Sequence, residues 1–265
     1  MDKVIGFEAR FWMKKCPTAR LYNLIKNKVD ITEFDVISPE NVNSNWDDIS
    51  ININESYNIW ITKNDTGEAI EISSINQITV YISFELKIER IDYLSLITEL
   101  LDIDGLLTIH IYDYNDVYWQ SVDTTQSYIF ANKPYSHLLI VEDPLGIGRE
   151  CLDTSKNYGR FVSLYRDRTM AAPINYYGTM FFNLIPKEYI ANYSGFYKFE
   201  EYKRYIKCVL FFEIFESDKN RKKQEEYFKY LKIQELSDLI GDIYGINGVP
   251  FDKEIDVKIK QLYSP

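Results

Sequence analysis

At 265 residues, 46% hydrophobic and 26% charged, the chain has the make-up of a folded globular protein, which excludes a disordered or fibrous one. Its 40 Asp and Glu residues outnumber 30 Lys and Arg, for a net charge of −10. A field of that sign repels phosphate backbones and anionic lipid heads, so the expected partner is a basic protein surface and neither nucleic acid nor membrane.

The three cysteines, Cys16, Cys151 and Cys208, form no CxxC pair. No zinc or redox site is expected from them, and an odd, dispersed set fits a reducing compartment. The opening MDKVIGFEARFWMKK interleaves charged and apolar residues where a secretory signal needs a continuous apolar stretch. The longest apolar run, CVLFF at 208–212, is far short of the roughly 20 residues of a membrane span. The expectation is a cytoplasmic chain without metal or cofactor.

Residues 4–14 carry β-favouring side chains in near alternation, and Leu21, Leu24, Ile25 and Val29 follow at helical spacing. This predicts a strand and then a helix. The order returns at 78–88 as a strand, with Ile91, Leu94, Ile97 and Leu101 on a helical stripe and a further strand at 106–113, LLTIHIYD. Asp104 and Gly105 make the turn between them, since Gly tolerates the positive φ that ends a helix. Laying 6–31 on 78–103 without a gap matches Lys15 with Lys87, Leu24 with Leu96, Ile25 with Ile97, Asp30 with Asp102 and Ile31 with Ile103. Two unrelated amphipathic units coincide that often as readily as a duplication does. Between the units, the Asn-, Ser- and Asp-rich stretch 38–58 reads as loop, and 57–62 and 69–75 as a hairpin around NDTG at 64–67.

The second half is less regular. Apolar runs YIFA and HLLIV fall within 128–141, and a polar, Gly-containing connection over 144–159 marks a candidate boundary. Beyond it the pattern predicts a strand at 161–166, a helix at 186–192 opening at Pro186, a helical patch at 199–206 and a buried strand over VLFFEIFES. A long amphipathic helix at 219–240 and a strand at 254–259 follow. Strands alternating with helices and hairpins predict an α+β fold of mixed or antiparallel sheets with helices packed on one face. The concrete form is two ferredoxin-like halves, 1–150 and 151–265, or one continuous domain.

Chemistry has little to work with. The only histidines are His110, between isoleucines on a strand, and His137, in a loop; the strand position favours a half-buried structural His. The run DYNDVYW at 113–119 lacks the alternating oxygen ligands, Gly and distant Glu of a calcium loop. PLGIGRE at 144–150 lacks the Gly-Lys-Ser/Thr ending of a phosphate loop. Arg160, Arg166 and Arg168 can hold an anion or simply pair with surface carboxylates. There is no G-x-S-x-G, H-E-x-x-H or kinase set.

What remains is a mixture of aromatic and acidic side chains. Tyr112, Asp113, Tyr114, Asp116, Tyr118 and Trp119 form one such group, and Trp46, Asp47, Asp48 and Glu55 another. Rigid aromatic area interleaved with carboxylates is the composition of binding surfaces. The function expected is that of an acidic inhibitor of a basic partner, as an immunity protein or antitoxin is to a bacterial toxin, steered to its target by charge. The alternatives are a hydrolase built on Asp113 or Asp116 with His110, and a structural subunit of an assembly.

Overall fold

The computed structural model describes residues 3–12, 18–30, 34–38, 41–44, 59–63, 68–75, 79–142, 150–164, 167–240 and 253–264. The N-terminal framework is β1 (Val4–Trp12), α1 (Thr18–Lys28), β2 (Asp35–Ser38), β3 (Asn41–Ser44), β4 (Ile59–Lys63), β5 (Glu68–Ile75), β6 (Thr79–Lys87), α2 (Tyr93–Leu101) and β7 (Leu106–Asp113). Next come α3 (Tyr114–Ser121), α4 (Thr125–Phe130), β8 (Ile140–Glu142), β9 (Glu150–Leu152), β10 (Val162–Leu164), β11 (Asp167–Thr169) and β12 (Ile174–Gly178). The last elements are α5 (Lys187–Ala191), β13 (Lys198–Glu201), β14 (Tyr205–Val209), α6 (Arg221–Tyr230), α7 (Ile233–Ile240) and α8 (Lys253–Leu262).

Among the described residues, ten strands form one sheet in the order β13-β14-β12-β7-β1-β6-β5-β4-β2-β3, and every neighbour pair in it is antiparallel. The α+β expectation holds. Within this sheet, β1-α1-β5-β6-α2-β7 laid out as β7-β1-β6-β5 has the connectivity of a ferredoxin-like unit, with β2, β3 and β4 inserted before β5. The aligned segments 6–31 and 78–103 are its two strand–helix units. The three strands contributed after residue 150, β12, β13 and β14, continue the same sheet beyond β7.

Period-two alternation sorts side chains onto two faces. Ile5, Phe7, Ala9 and Phe11 of β1 join Val80, Ile82, Phe84 and Leu86 of β6 in a core with Leu21, Leu24 and Ile25 of α1 and Leu96, Ile97 and Leu100 of α2. Of the expected α2 stripe, Ile97 and Leu101 are buried, but Leu94 points outward because the buried face is set by Leu96, Ile97, Leu100 and Leu101. The opposite face is covered too. Tyr177, Ile206 and Cys208 pack there with Tyr227 and Phe228 of α6 and Leu236 of α7.

Much of the tyrosine content is spent in this second core. Tyr189 and Tyr230 stack at 4.9 Å and exchange hydrogen bonds, each hydroxyl donating to the other's backbone carbonyl at 2.8 and 2.7 Å. Tyr263 donates to the Leu231 carbonyl at 2.7 Å and so ties down the end of α8. Apolar rings with bonded hydroxyls let such a core form without stranded polar groups.

Several sequence expectations are corrected here. Residues 199–206 form the β13–β14 turn instead of a helix, because Ile206 and Cys208 alternate onto the second core while β14 pairs with β12. VLFFEIFES stays in the sheet only to Val209, and Ile214–Asn220 is a 3-10 turn. The helix expected at 219–240 breaks at Lys232, whose φ of +51° no helix accommodates. Residues 253–262 are helical, since that geometry buries Ile259 and Tyr263 four positions apart. Asn41–Ser44, read as loop, is strand. Helices α3 and α4 were not foreseen at all.

Gly105 has φ +86°, and a Cβ there would run into the Trp12 backbone oxygen, while its own carbonyl accepts from Trp12 N at 2.7 Å. Gly105→Ala is therefore expected to lower the urea unfolding midpoint by an amount equivalent to about 1–3 kcal/mol. An unchanged midpoint in equilibrium unfolding would show that this turn relaxes freely.

Candidate functional site

Across the sheet, Ser83, Glu8, His110, Asn175 and Cys208 occupy one register line. Glu8, Arg10, His110 and Asn175 are all buried. Glu8 and Arg10 form an ion pair, and the Arg10 guanidinium lies 5.0 Å from the Tyr81 ring centroid. Pairing and stacking offset the cost of placing these charges inside. Asn175 donates from Nδ2 to the Ala172 carbonyl at 2.7 Å, which leaves its Oδ1 to accept from His110 Nδ1 at 2.8 Å. His110 is thus the Nδ1-protonated tautomer. Its Nε2 has no hydrogen bond of ordinary geometry.

Burial drives the His110 pKa down to about 4, against the weaker pull of the Asn175 bond and the Glu8 carboxylate. The ring is neutral at physiological pH and closed to solvent, more deeply buried than its strand position implies. The hydrolase arrangement does not form. Asp113 lies three residues along a period-two strand and so falls on the other face; its carboxylate caps α3 by accepting from Asn115 and Asp116 backbone N–H groups at 3.0 and 3.3 Å. Asp116 binds the Arg221 guanidinium through both oxygens, at 2.5 and 3.2 Å.

The other sequence candidates divide between interior and surface. Tyr112 is buried, its ring lying across Gly6 so closely that no Cβ fits there. Tyr114 is half-buried, with its hydroxyl bonded to Glu85. Tyr118 and Trp119 reach the surface end of an aromatic chain: Tyr118 meets Trp119 at 5.0 Å, Trp119 meets Tyr128 at 5.0 Å, and Tyr128 meets Tyr135 at 6.0 Å. Lys133 covers the Trp119 ring at 4.7 Å. Trp46, Asp47, Asp48 and Glu55 lie outside the described residues, as does Arg166. Arg160 is held by the Asn157 carbonyl and the Gln234 amide oxygen, which accounts for it without an anion.

Sequence reasoning missed the more exposed residues beside this chain. Ile129 and Phe130 end α4 with 54% and 81% of their surface open, and Leu139, Ile140 and Val141 enter β8 at 65%, 55% and 39%. The segments are joined: α4 packs on β9, which pairs with β8, and Tyr128 donates to the Trp119 carbonyl at 3.0 Å. Beside them Glu142 and Glu150 face each other in register, both exposed, and neither has an ion-pair partner among the described residues. HLLIV reads in sequence like any core strand; only the three-residue β8, paired on one side, leaves it outside.

The His110 geometry sets a pH dependence. Between the ordinary histidine value and about 4, the unfolded chain binds a proton that the native state does not. Stability from this group is complete above that window and is lost as pH falls through it, by up to roughly 3 kcal/mol. Urea unfolding of wild type and His110→Gln at neutral and acid pH is expected to show a shallower pH dependence in the variant; equal slopes would refute the assignment.

No protein-family model matches the chain, and no curated protein matches it in sequence. Among solved structures, it is similar to one titled "Pseudomonas aeruginosa T6SS protein PA0821" at 9% identity and a TM-score of 0.47, over 98% of this chain and 81% of that one. A likeness of that degree assigns neither family nor activity.

Proposed function

We propose that the chain is a non-catalytic protein-binding protein, an acidic inhibitor of a basic partner of the kind an immunity protein or antitoxin makes with a bacterial toxin. One observation carries this reading: exposed apolar side chains, Tyr118, Ile129, Phe130 and Leu139–Val141, sit on elements that pack on or pair with β9, alongside Glu142 and Glu150, which have no ion-pair partner among the described residues. Apolar area of that kind on a folded surface marks an interaction site, and an aromatic anchor such as Phe130 is the side chain that dominates binding when it is desolvated.

The net charge of −10 supports a basic partner, because opposite fields accelerate encounter and exclude like-charged competitors. The closed, neutral His110 supports a non-catalytic role, since a general base must reach its substrate. Of the acidic and aromatic residues expected from sequence, Tyr118 and Trp119 belong to this surface. Trp46, Asp47, Asp48 and Glu55 remain part of the proposed contact.

Retention of a basic protein from the source cell's lysate by immobilised wild type, released by salt, is the expected result. Phe130→Asp is expected to reduce that retention about tenfold or more, equivalent to ~1.4 kcal/mol, with thermal unfolding unchanged because the side chain is already in water. Equal retention by the variant would remove this surface from the function.

A further inference from the structure

We propose that the partner docks by adding an extended, basic strand to the free edge of β8. The inference rests on the binding surface proposed above and specifies how it is used. In the order β8-β9, β9 is flanked on its other side by a bridge from Thr124 to Cys151, whereas β8 pairs with β9 alone among the described residues.

The register shows which backbone groups are open. Ile140 faces Leu152 and Val141 faces Cys151, and the Asp153 N–H donates to the Leu139 carbonyl at 2.8 Å. Leu139 is therefore turned toward β9. Because hydrogen-bonded and non-hydrogen-bonded positions alternate in an antiparallel pair, Ile140 turns its N–H and carbonyl the other way. Leu152, opposite it, confirms the phase by donating to the Asp123 carbonyl on the far side at 2.6 Å. No described group outside the β8–β9 pair bonds the Ile140 backbone.

Open among the described residues, the edge bears exposed Leu139, Ile140 and Val141 and carries no lysine, proline or bulge; only its three-residue length and the charge of Glu142 guard it. It is the template used when an extended peptide joins a sheet, where main-chain bonds give affinity and side-chain contacts give selectivity. Charge chooses the occupant. Glu142 and Glu150 stand directly opposite each other with no ion-pair partner among the described residues, a like-charge pairing that an incoming Lys or Arg relieves. A second copy brings the same −10 charge and the same carboxylates, so a basic strand of another protein is the better fit.

The test uses the full chain and an end-blocked peptide of alternating Lys and Val, followed by amide hydrogen exchange and by titration of backbone NMR signals. The peptide is expected to protect the Ile140 amide and to bind about tenfold more weakly to Glu142→Lys and Glu150→Lys. Ile140→Pro removes only the outward donor at an edge position that tolerates proline, and is expected to abolish binding; an intact β9 amide pattern in the variant certifies its fold. Binding of the peptide by Ile140→Pro at wild-type strength would overturn strand addition. So would concentration-dependent protection of Ile140 without peptide, which would identify a second copy as the occupant. If Phe130→Asp loses the lysate partner while Ile140→Pro keeps it, strand addition fails and the surface reading stands; if neither loses it, both fail.

Discussion

The charge pair inside the sheet is the constraint on which the rest of the architecture depends. β1 lies between β7 and β6 and presents Ile5, Phe7, Ala9 and Phe11 to one core while placing Glu8 and Arg10 on the reverse face. Apolar residues on one face alone would be satisfied by α1 and α2. A buried ion pair on the other demands cover that leaves neither partner alone, since an unmatched interior charge costs several kcal/mol. Tyr81 supplies a ring beside Arg10, and His110 and Asn175 continue the polar line across β7 and β12. The polar interior is thus shared by strands from both ends of the chain.

That arrangement explains why the histidine is structural. Its hydrogen-bond partner is an amide whose own orientation is set by the Ala172 carbonyl, so ring and amide hold each other in one arrangement. The same packing that stabilises the neutral ring removes it from any substrate. Polar residues in the interior of this protein therefore specify how β1, β7 and β12 are registered, and reactive chemistry has no access to them.

At the surface, the proposed function rests on a combination of features around α4 and β8. Isolated exposed apolar residues are ordinary, but α4 and β8 carry several, together with a strand edge unpaired among the described residues and two opposed carboxylates. Each feature is a modest liability alone. Their coincidence is what a recognition surface requires: apolar area to desolvate, a main-chain edge to align, and charge to choose the partner.

From sequence alone, the strands of the N-terminal unit, its two helices and the positive-φ turn at Gly105 were legible, because strict period-two and helical spacing persist there over whole elements. The acidic balance also follows from composition. Residues 199–206 and 254–259 carry patterns compatible with either helix or strand, and pairing with β12 or burial of Ile259 and Tyr263 decided between them. The proposed interaction surface was legible only in part. Tyr118 and Trp119 stood out as aromatics, but Asp113 and Asp116 were read as partner-binding carboxylates although the fold commits them to a helix cap and to Arg221. Ile140 and Val141 look like core residues. Whether an apolar run is buried depends on what other segments bring against it, and that is a property of tertiary packing, which no local spacing encodes.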